Sequence, residues 1–156
     1  MENPDIYCSQ VRLPVKVIES VLVPPSQHSP NTVLYLSNLD DHFLLRRRFD
    51  VFLVYSNGSK NIYAATNPAR VIQDALSQLL SYYYPLAGRL RRTKDGRKLQ
   101  VDCTGEGALF VEAATENTLQ TLGEFEELKW SFEQQLFEFP LTTEVEEVPP
   151  LILQVN

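Results

Sequence analysis

Leu80-Ser-Tyr-Tyr-Tyr-Pro-Leu-Ala-Gly-Arg-Leu90 is the stretch in which one kind of structure has to give way to another. Pro85 has no N–H to donate and its ring clashes with the turn before it, so a helix arriving from the N-terminal side ends there. Gly88 offers a permissive backbone for the exit. Tyr82, Tyr83 and Tyr84 put bulky, half-polar rings at the helix end. The segment predicts a helix-to-strand junction.

Reading upstream from the junction, residues 68–83 form the helix. Thr66 or Asn67 supplies the N-cap and Pro68 takes the first helical position. Val71, Ile72, Ala75, Leu76, Leu79, Leu80 and Tyr83 recur at three- and four-residue spacing. Arg70, Gln73, Asp74, Ser77, Gln78 and Ser81 fill the other face. The apolar stripe implies a sheet or a second helix beneath it. Reading downstream, residues 88–93 and 98–103 flank Asp95-Gly96, a strong hairpin signal. Leu99, Val101 and Cys103 alternate onto one face and are expected to point inward. Arg89, Arg91, Arg92, Lys94, Arg97 and Lys98 crowd this hairpin and read as a solvated strand pair.

Further out, residues 11–23 alternate loosely and predict one or two strands. Pro24, Pro25 and Pro30 exclude a central strand over 24–30 and mark an exposed loop. Residues 33–36 are a short apolar piece leading into the turn-rich 37–41. Residues 49–55 are β-branched and aromatic and predict a buried strand, ended by Ser56-Asn57-Gly58. Thr104-Gly-Glu-Gly107 reads as a turn, 108–113 as a strand and 118–122 as a helical turn. Residues 124–147 are acidic with aromatic anchors, among them Trp130, Phe132 and Phe137, and predict a long irregular crossing. Pro149-Pro150 then opens an apolar strand over 151–155. The pattern is that of an α/β domain.

The chain has 156 residues, the length of one ordinary domain, and a formal net charge of -6 with a sequence pI near 4.9. That balance argues against nucleic acid as the main partner. No apolar run is long enough to span a bilayer, and the N-terminal residues lack the basic and apolar regions of a secretory leader. Cys8 and Cys103 make no disulfide framework and no zinc pair, which suits a reduced, cytoplasmic protein.

Chemistry-bearing clusters are few. His28 lies in the proline-rich loop and His42 follows Asp40-Asp41; position 32 is Thr and position 46 is Arg, so neither histidine has Asp four residues on. Both read as surface histidines. Asp40, Asp41 and His42 are adjacent and do not converge on one ion without a special turn. Thr104-Gly-Glu-Gly107 lacks the lysine and following helix of a phosphate-cradling loop, and no Gly-x-Ser-x-Gly elbow is present. The residues by themselves show no catalytic group and no metal site.

Several segments nevertheless occur in the order found in one family. Leu36-Ser-Asn-Leu-Asp40, Leu79-Leu-Ser-Tyr-Tyr-Tyr-Pro-Leu-Ala-Gly-Arg89, Val101-Asp-Cys-Thr-Gly-Glu-Gly-Ala-Leu-Phe-Val-Glu112 and Pro150-Leu-Ile-Leu-Gln-Val155 together resemble the plant BAHD acyl-CoA-dependent acyltransferases, nearest in wording to the conifer taxane group. The resemblance spans nearly the whole chain. It implies the N-terminal part of a two-domain α/β fold like that of chloramphenicol acetyltransferase, with a mixed sheet packed on helices and a channel between the domains. It also implies acyl-CoA as co-substrate, an alcohol as acceptor, no further cofactor, a cytoplasmic monomer at full length, and no membrane or nucleic-acid partner. In the family, the histidine of a His-x-x-x-Asp motif acts as general base on the acceptor hydroxyl. This sequence contains neither that motif nor the family's Asp-Phe-Gly-Trp-Gly. Residues 1–156 are therefore expected to be an incomplete N-terminal domain, a fragment inactive alone and prone to aggregate or stay molten. The alternative is a non-catalytic truncated paralogue acting as a binding module. A third reading, an RNA-binding domain, rests on the basic hairpin. By the resemblance, Ser37 and Leu39 approach the acceptor; the competing reading of both is a capped turn packed on the core.

Overall fold

Pro85 and Asp95-Gly96 do locally what their chemistry dictates, and the rest of the architecture is arranged around them. The computed structural model describes residues 15–42, 51, 53, 55, 67–115 and 148–156. In chain order these form β1 (Val15–Val23), β2 (Val33–Tyr35), α1 (Pro68–Tyr82), a 3-10 turn (Tyr84–Ala87), β3 (Arg89–Arg92), β4 (Leu99–Asp102), β5 (Ala108–Thr115) and β6 (Ile152–Val155). The Asn67 Oδ1 accepts from the Ala69 N–H at 2.9 Å and caps α1, with Pro68 behind it where no donor is required. At the other end the Tyr83 N–H reaches the Leu79 carbonyl at 3.0 Å, and the chain tightens into the 3-10 turn, with Pro85 in its second position.

The strands lie in two three-stranded sheets. The first has the order β1-β5-β6, with β1 antiparallel and β6 parallel to β5; the second, β2-β4-β3, is antiparallel throughout. The hairpin of β3 and β4 turns at Gly96, whose φ of 70° is open to glycine at no steric cost. Asp95 completes the turn by accepting from the Thr93 hydroxyl and the Arg97 N–H, and these bonds hold its carboxyl below the usual carboxylate range. Leu99, Val101 and Cys103 point inward and are buried, as their alternation requires.

The core joins α1 to the first sheet. Ala69, Leu76 and Leu80 of α1 pack with Val23 of β1, Ala87, and Ala108 and Phe110 of β5. Leu109, Val111 and Ala113, on the opposite face of β5, are buried as well, so the central strand is an almost continuous apolar run.

Three expectations fail. Only one flank of the α1 stripe is covered: Leu80 is 0% exposed, whereas Leu79 is 45% exposed and Val71, Ile72 and Tyr83 are open as well. The stripe is wider than the strand ends it packs on. Ser77 and Ser81, assigned to the solvent face, instead bind the proline-rich loop. The Ser77 hydroxyl donates to the Pro24 carbonyl at 2.8 Å, and the Ser81 hydroxyl accepts from the Gln27 N–H at 3.1 Å. Finally, Val51, Leu53 and Tyr55, the described residues of the expected buried strand, are exposed and are assigned to no strand. β1 is as expected from Val15 onward, with a bulge between Val17 and Glu19 that breaks the alternation. The expected elements at 11–14, 56–58, 118–122 and 124–147 lie outside the described residues.

The two neighbouring leucines therefore have opposite sensitivities. Leu80→Glu buries an unpaired carboxylate at a cost of several kcal/mol and is expected to abolish the helical circular dichroism of α1. Leu79→Glu is expected to keep that signal and to lower light scattering, since it breaks the exposed apolar flank. Equal damage at both positions would place the packed face elsewhere.

Candidate functional site

The loop that follows β2 is built to hold one residue outward. The Ser37 hydroxyl accepts from the Asp40 N–H at 3.1 Å and donates to Asp40 Oδ2 at 2.8 Å. The Asp41 N–H reaches the Ser37 carbonyl at 3.0 Å, and the His42 N–H reaches that of Leu39 at 3.1 Å. Ser37 is thus engaged in its own turn, and Leu39 stands at the apex, 74% exposed. The loop does not pack on the core as a whole; one residue, Asp41, does. Asp41 is buried and its Oδ1 accepts from the Leu99 N–H at 3.0 Å. β2 pairs with β4 no further than Tyr35 opposite Gln100. The next N–H along β4 would be left without a strand partner, and the Asp41 carboxylate takes its place. Lys98 Nζ, also at the hairpin, donates to Asn38 Oδ1. The loop is therefore an extension of the second sheet.

Arg89 corrects the reading of the basic hairpin. It is 7% exposed, and it faces the turn at 104–107 instead of solvent. Its Nη1 donates to the Gly88 carbonyl at 2.7 Å and to the Gly107 carbonyl at 3.0 Å. Its Nη2 lies 3.3 Å from Glu106 Oε2, while Glu106 Oε1 accepts from the Thr104 hydroxyl at 2.9 Å. Two residues on, Arg91 is exposed as expected and pairs with Asp102 at 3.1 Å. Sequence spacing could not separate the two arginines, since both lie on the same parity of one strand. The available signal was the lone acid held between Gly105 and Gly107, a charge awaiting a partner from another element.

His28 and His42 are exposed. Among the described residues no group of three His, Cys, Asp or Glu side chains is placed to hold a metal ion. No helix among them is long and apolar enough to cross a membrane. Cys103 is a free, buried thiol, pushed above its ordinary pKa by burial and, secondarily, by the charge of Asp102. It is a packed small hydrophobe, unsuited to act as a thiolate nucleophile.

Residues 13–156 match the Transferase family, and the chain belongs to this family, the BAHD transferases. It is 42% identical over its whole length to taxadien-5-alpha-ol O-acetyltransferase of Taxus chinensis, covering 34% of that protein. Over 91% of its length it is 44% identical to 3'-N-debenzoyl-2'-deoxytaxol N-benzoyltransferase of Taxus canadensis, covering 31% of that protein. Alcohol acyl transferase 1 (allele RGb) of Malus domestica is 39% identical over 92% of the chain, again with 31% of the relative covered. Among solved structures, vinorine synthase aligns over 70% of this chain and 26% of its own, at 22% identity and a TM-score of 0.40. The chain spans about a third of the length of the curated relatives it matches.

Asp41→Ala removes the acceptor from a buried N–H, a change worth about 1–3 kcal/mol. It is expected to speed amide exchange at Leu99 markedly, whereas Asp41→Asn keeps an acceptor oxygen and most of the protection. For the thiol, a raised pKa means that the unfolded state ionises first. Its contribution to stability is intact below the unfolded thiol pKa, about 8.5, and falls as pH rises beyond it. In a Cys8→Ser background, labelling of Cys103 by a thiol reagent should be slow at neutral pH and accelerate above that value. Prompt stoichiometric labelling at pH 7 would contradict the burial.

Proposed function

We propose that the chain is the N-terminal portion of an acyltransferase that moves an acyl group from acyl-CoA to a hydroxyl of a specialised-metabolite alcohol. The observation that carries this reading is the family match over residues 13–156, at about two-fifths identity to relatives named as acyltransferases. Those names include both O- and N-acyltransferases, so the acceptor class extends to amines. A taxane-like terpenoid alcohol is the first acceptor to try, because the Taxus relatives are 42% and 44% identical to the chain against 39% for the Malus one.

On this reading residues 1–156 are an incomplete N-terminal domain of a two-domain α/β enzyme, cytoplasmic and monomeric at full length. The acceptor-side loop is the one after β2. Leu39 offers an exposed apolar side chain to the acceptor, and Ser37 holds the turn that presents it, its hydroxyl bonded to Asp40. Deprotonating an acceptor hydroxyl needs a general base. Neither His28 nor His42 is followed by Asp four residues later. The base and the donors that stabilise the tetrahedral oxyanion are assigned to polypeptide that this sequence does not contain. The 156-residue chain is accordingly inactive by itself, and acyl-CoA is a co-substrate of the whole enzyme, with no other cofactor. The same absence favours one second reading, a non-catalytic binding module.

The test is a chimera in which this chain replaces the corresponding third of a Taxus relative that carries its own His-x-x-x-Asp. The isolated chain is expected to release no CoA from acetyl-CoA in the presence of a terpenoid alcohol; the chimera is expected to form the ester. In the chimera, Leu39→Glu should raise the acceptor KM about tenfold, the scale of one lost apolar contact, and leave the acyl-CoA KM unchanged. A folded but inert chimera would remove the acyl-transfer reading and leave the binding module.

A further inference from the structure

The two sheets meet where Arg89 grips the turn between β4 and β5, and no family resemblance assigns that residue a task. We propose that Arg89 is a clasp that fixes the second sheet relative to the first. When the clasp is undone, the turn at 103–107 opens while each sheet stays formed. The inference goes beyond the acyl-transfer reading and holds whether or not that reading does.

Its basis is how Gly107 is held. The Gly107 N–H donates to the Ala87 carbonyl at 2.9 Å, and the Gly107 carbonyl accepts from Arg89 Nη1 at 3.0 Å. Both backbone groups of one residue are thus taken by a single three-residue stretch of the junction. One side of that stretch acts through its backbone and the other through a guanidinium. Gly107 leads directly into β5 of the first sheet, and Arg89 is the first residue of β3 in the second. The same Nη1 also holds the Gly88 carbonyl, so the guanidinium plane is fixed on its own side before it reaches across.

The partners differ in weight. The two carbonyl bonds are buried, and losing their donor strands polar groups away from water. Glu106 has a side chain 48% exposed, so its pairing with Nη2 is screened and contributes less. A lysine at 89 brings one compact ammonium and lacks the planar fork that spans two carbonyls and a carboxylate. The order of effect is therefore Arg89→Gln, then Arg89→Lys, then Glu106→Gln. Because Asp41 ties the 37–41 loop to β4, the clasp also sets where Leu39 sits relative to the core.

Amide hydrogen exchange on the chimera, where this chain keeps the remainder of a full-length relative, tests the clasp. Gly107 reports the turn, Thr93 the hairpin of the second sheet through its bond to the Lys98 carbonyl, and Leu109 the first sheet through its bond to the Leu151 carbonyl. Arg89→Gln is expected to accelerate exchange at Gly107 by about tenfold or more while Thr93 and Leu109 change by less than about twofold, the signature of local opening. Arg89→Lys should show the same selectivity at smaller amplitude, and the exposed control Arg91→Gln none. Unchanged protection at Gly107 in Arg89→Gln overturns the proposal. So does equal acceleration at all three amides, which would make Arg89 a contributor to global stability alone. If Arg89→Gln does not fold, Arg89→Lys decides by the same selectivity, and absence of a selective effect there overturns the proposal.

Discussion

The fold turns on a backbone contact that only a residue without a side chain permits. Gly107 has φ of 109°, and a Cβ on it would stand 2.5 Å from the Val23 carbonyl oxygen and 3.0 Å from the Pro24 nitrogen. An L side chain is excluded there twice, by conformation and by space. The close approach brings the end of β1 against the start of β5, where the register opens with Val23 opposite Ala108. The pairs that follow, as far as Glu19 opposite Glu112 and including Val21 opposite Phe110, inherit the alignment until the bulge shifts it. Gly88 does the same from the other side: a Cβ there would fall on the Asp102 carbonyl oxygen. Two glycines thus let three segments distant in sequence meet at van der Waals contact, and the buried guanidinium of Arg89 closes the space between them.

Helix α1 solves a second problem, the satisfaction of a loop rich in proline. Pro24, Pro25 and Pro30 have no N–H, so the loop carries few donors. Those at Ser26 and Gln27 go to α1: the Ser26 N–H to the Ser77 carbonyl at 2.9 Å and the Gln27 N–H to the Ser81 hydroxyl. The Ser77 hydroxyl returns a bond to the Pro24 carbonyl. A helix face that is polar by composition is thereby half-buried and structural. The apolar flank carrying Val71 and Leu79 is left to solvent.

What could be read from the sequence was what acts locally. The Asn67-Pro68 cap, the stop at Pro85, the Asp95-Gly96 hairpin and the inward row of Leu99, Val101 and Cys103 each depend on neighbours within a few residues, and each is found as expected. What could not be read depends on partners far along the chain. Arg89 and Glu106, Asp41 and the Leu99 N–H, and Ser77 and the Pro24 carbonyl are separated by 17, 58 and 53 residues, and no periodicity reports such pairs. The strand expected at 49–55 illustrates the converse. Its composition favours a pleated, half-buried surface, yet Val51, Leu53 and Tyr55 are all exposed. The site was less legible than the fold. Ser37 and Leu39 came from resemblance, and only the geometry shows that the Ser37 hydroxyl is already spent on its own turn.

Charge accounting bears on the choice between functional readings. The hairpin owes its basic look to six side chains, yet Arg89 is buried on carbonyls, Arg91 pairs with Asp102 and Lys98 binds Asn38. Arg92 and Arg97 have partners too. A phosphate backbone is bound by cations that can exchange solvent counterions for phosphates. Cations already committed to neighbours, on a chain of net charge -6, make a poor electrostatic footprint for RNA. The same commitments give the hairpin a different use. They tie the 37–41 loop to the second sheet, through Lys98 on Asn38 and the Leu99 N–H on Asp41, and leave Leu39 exposed at the apex of that loop.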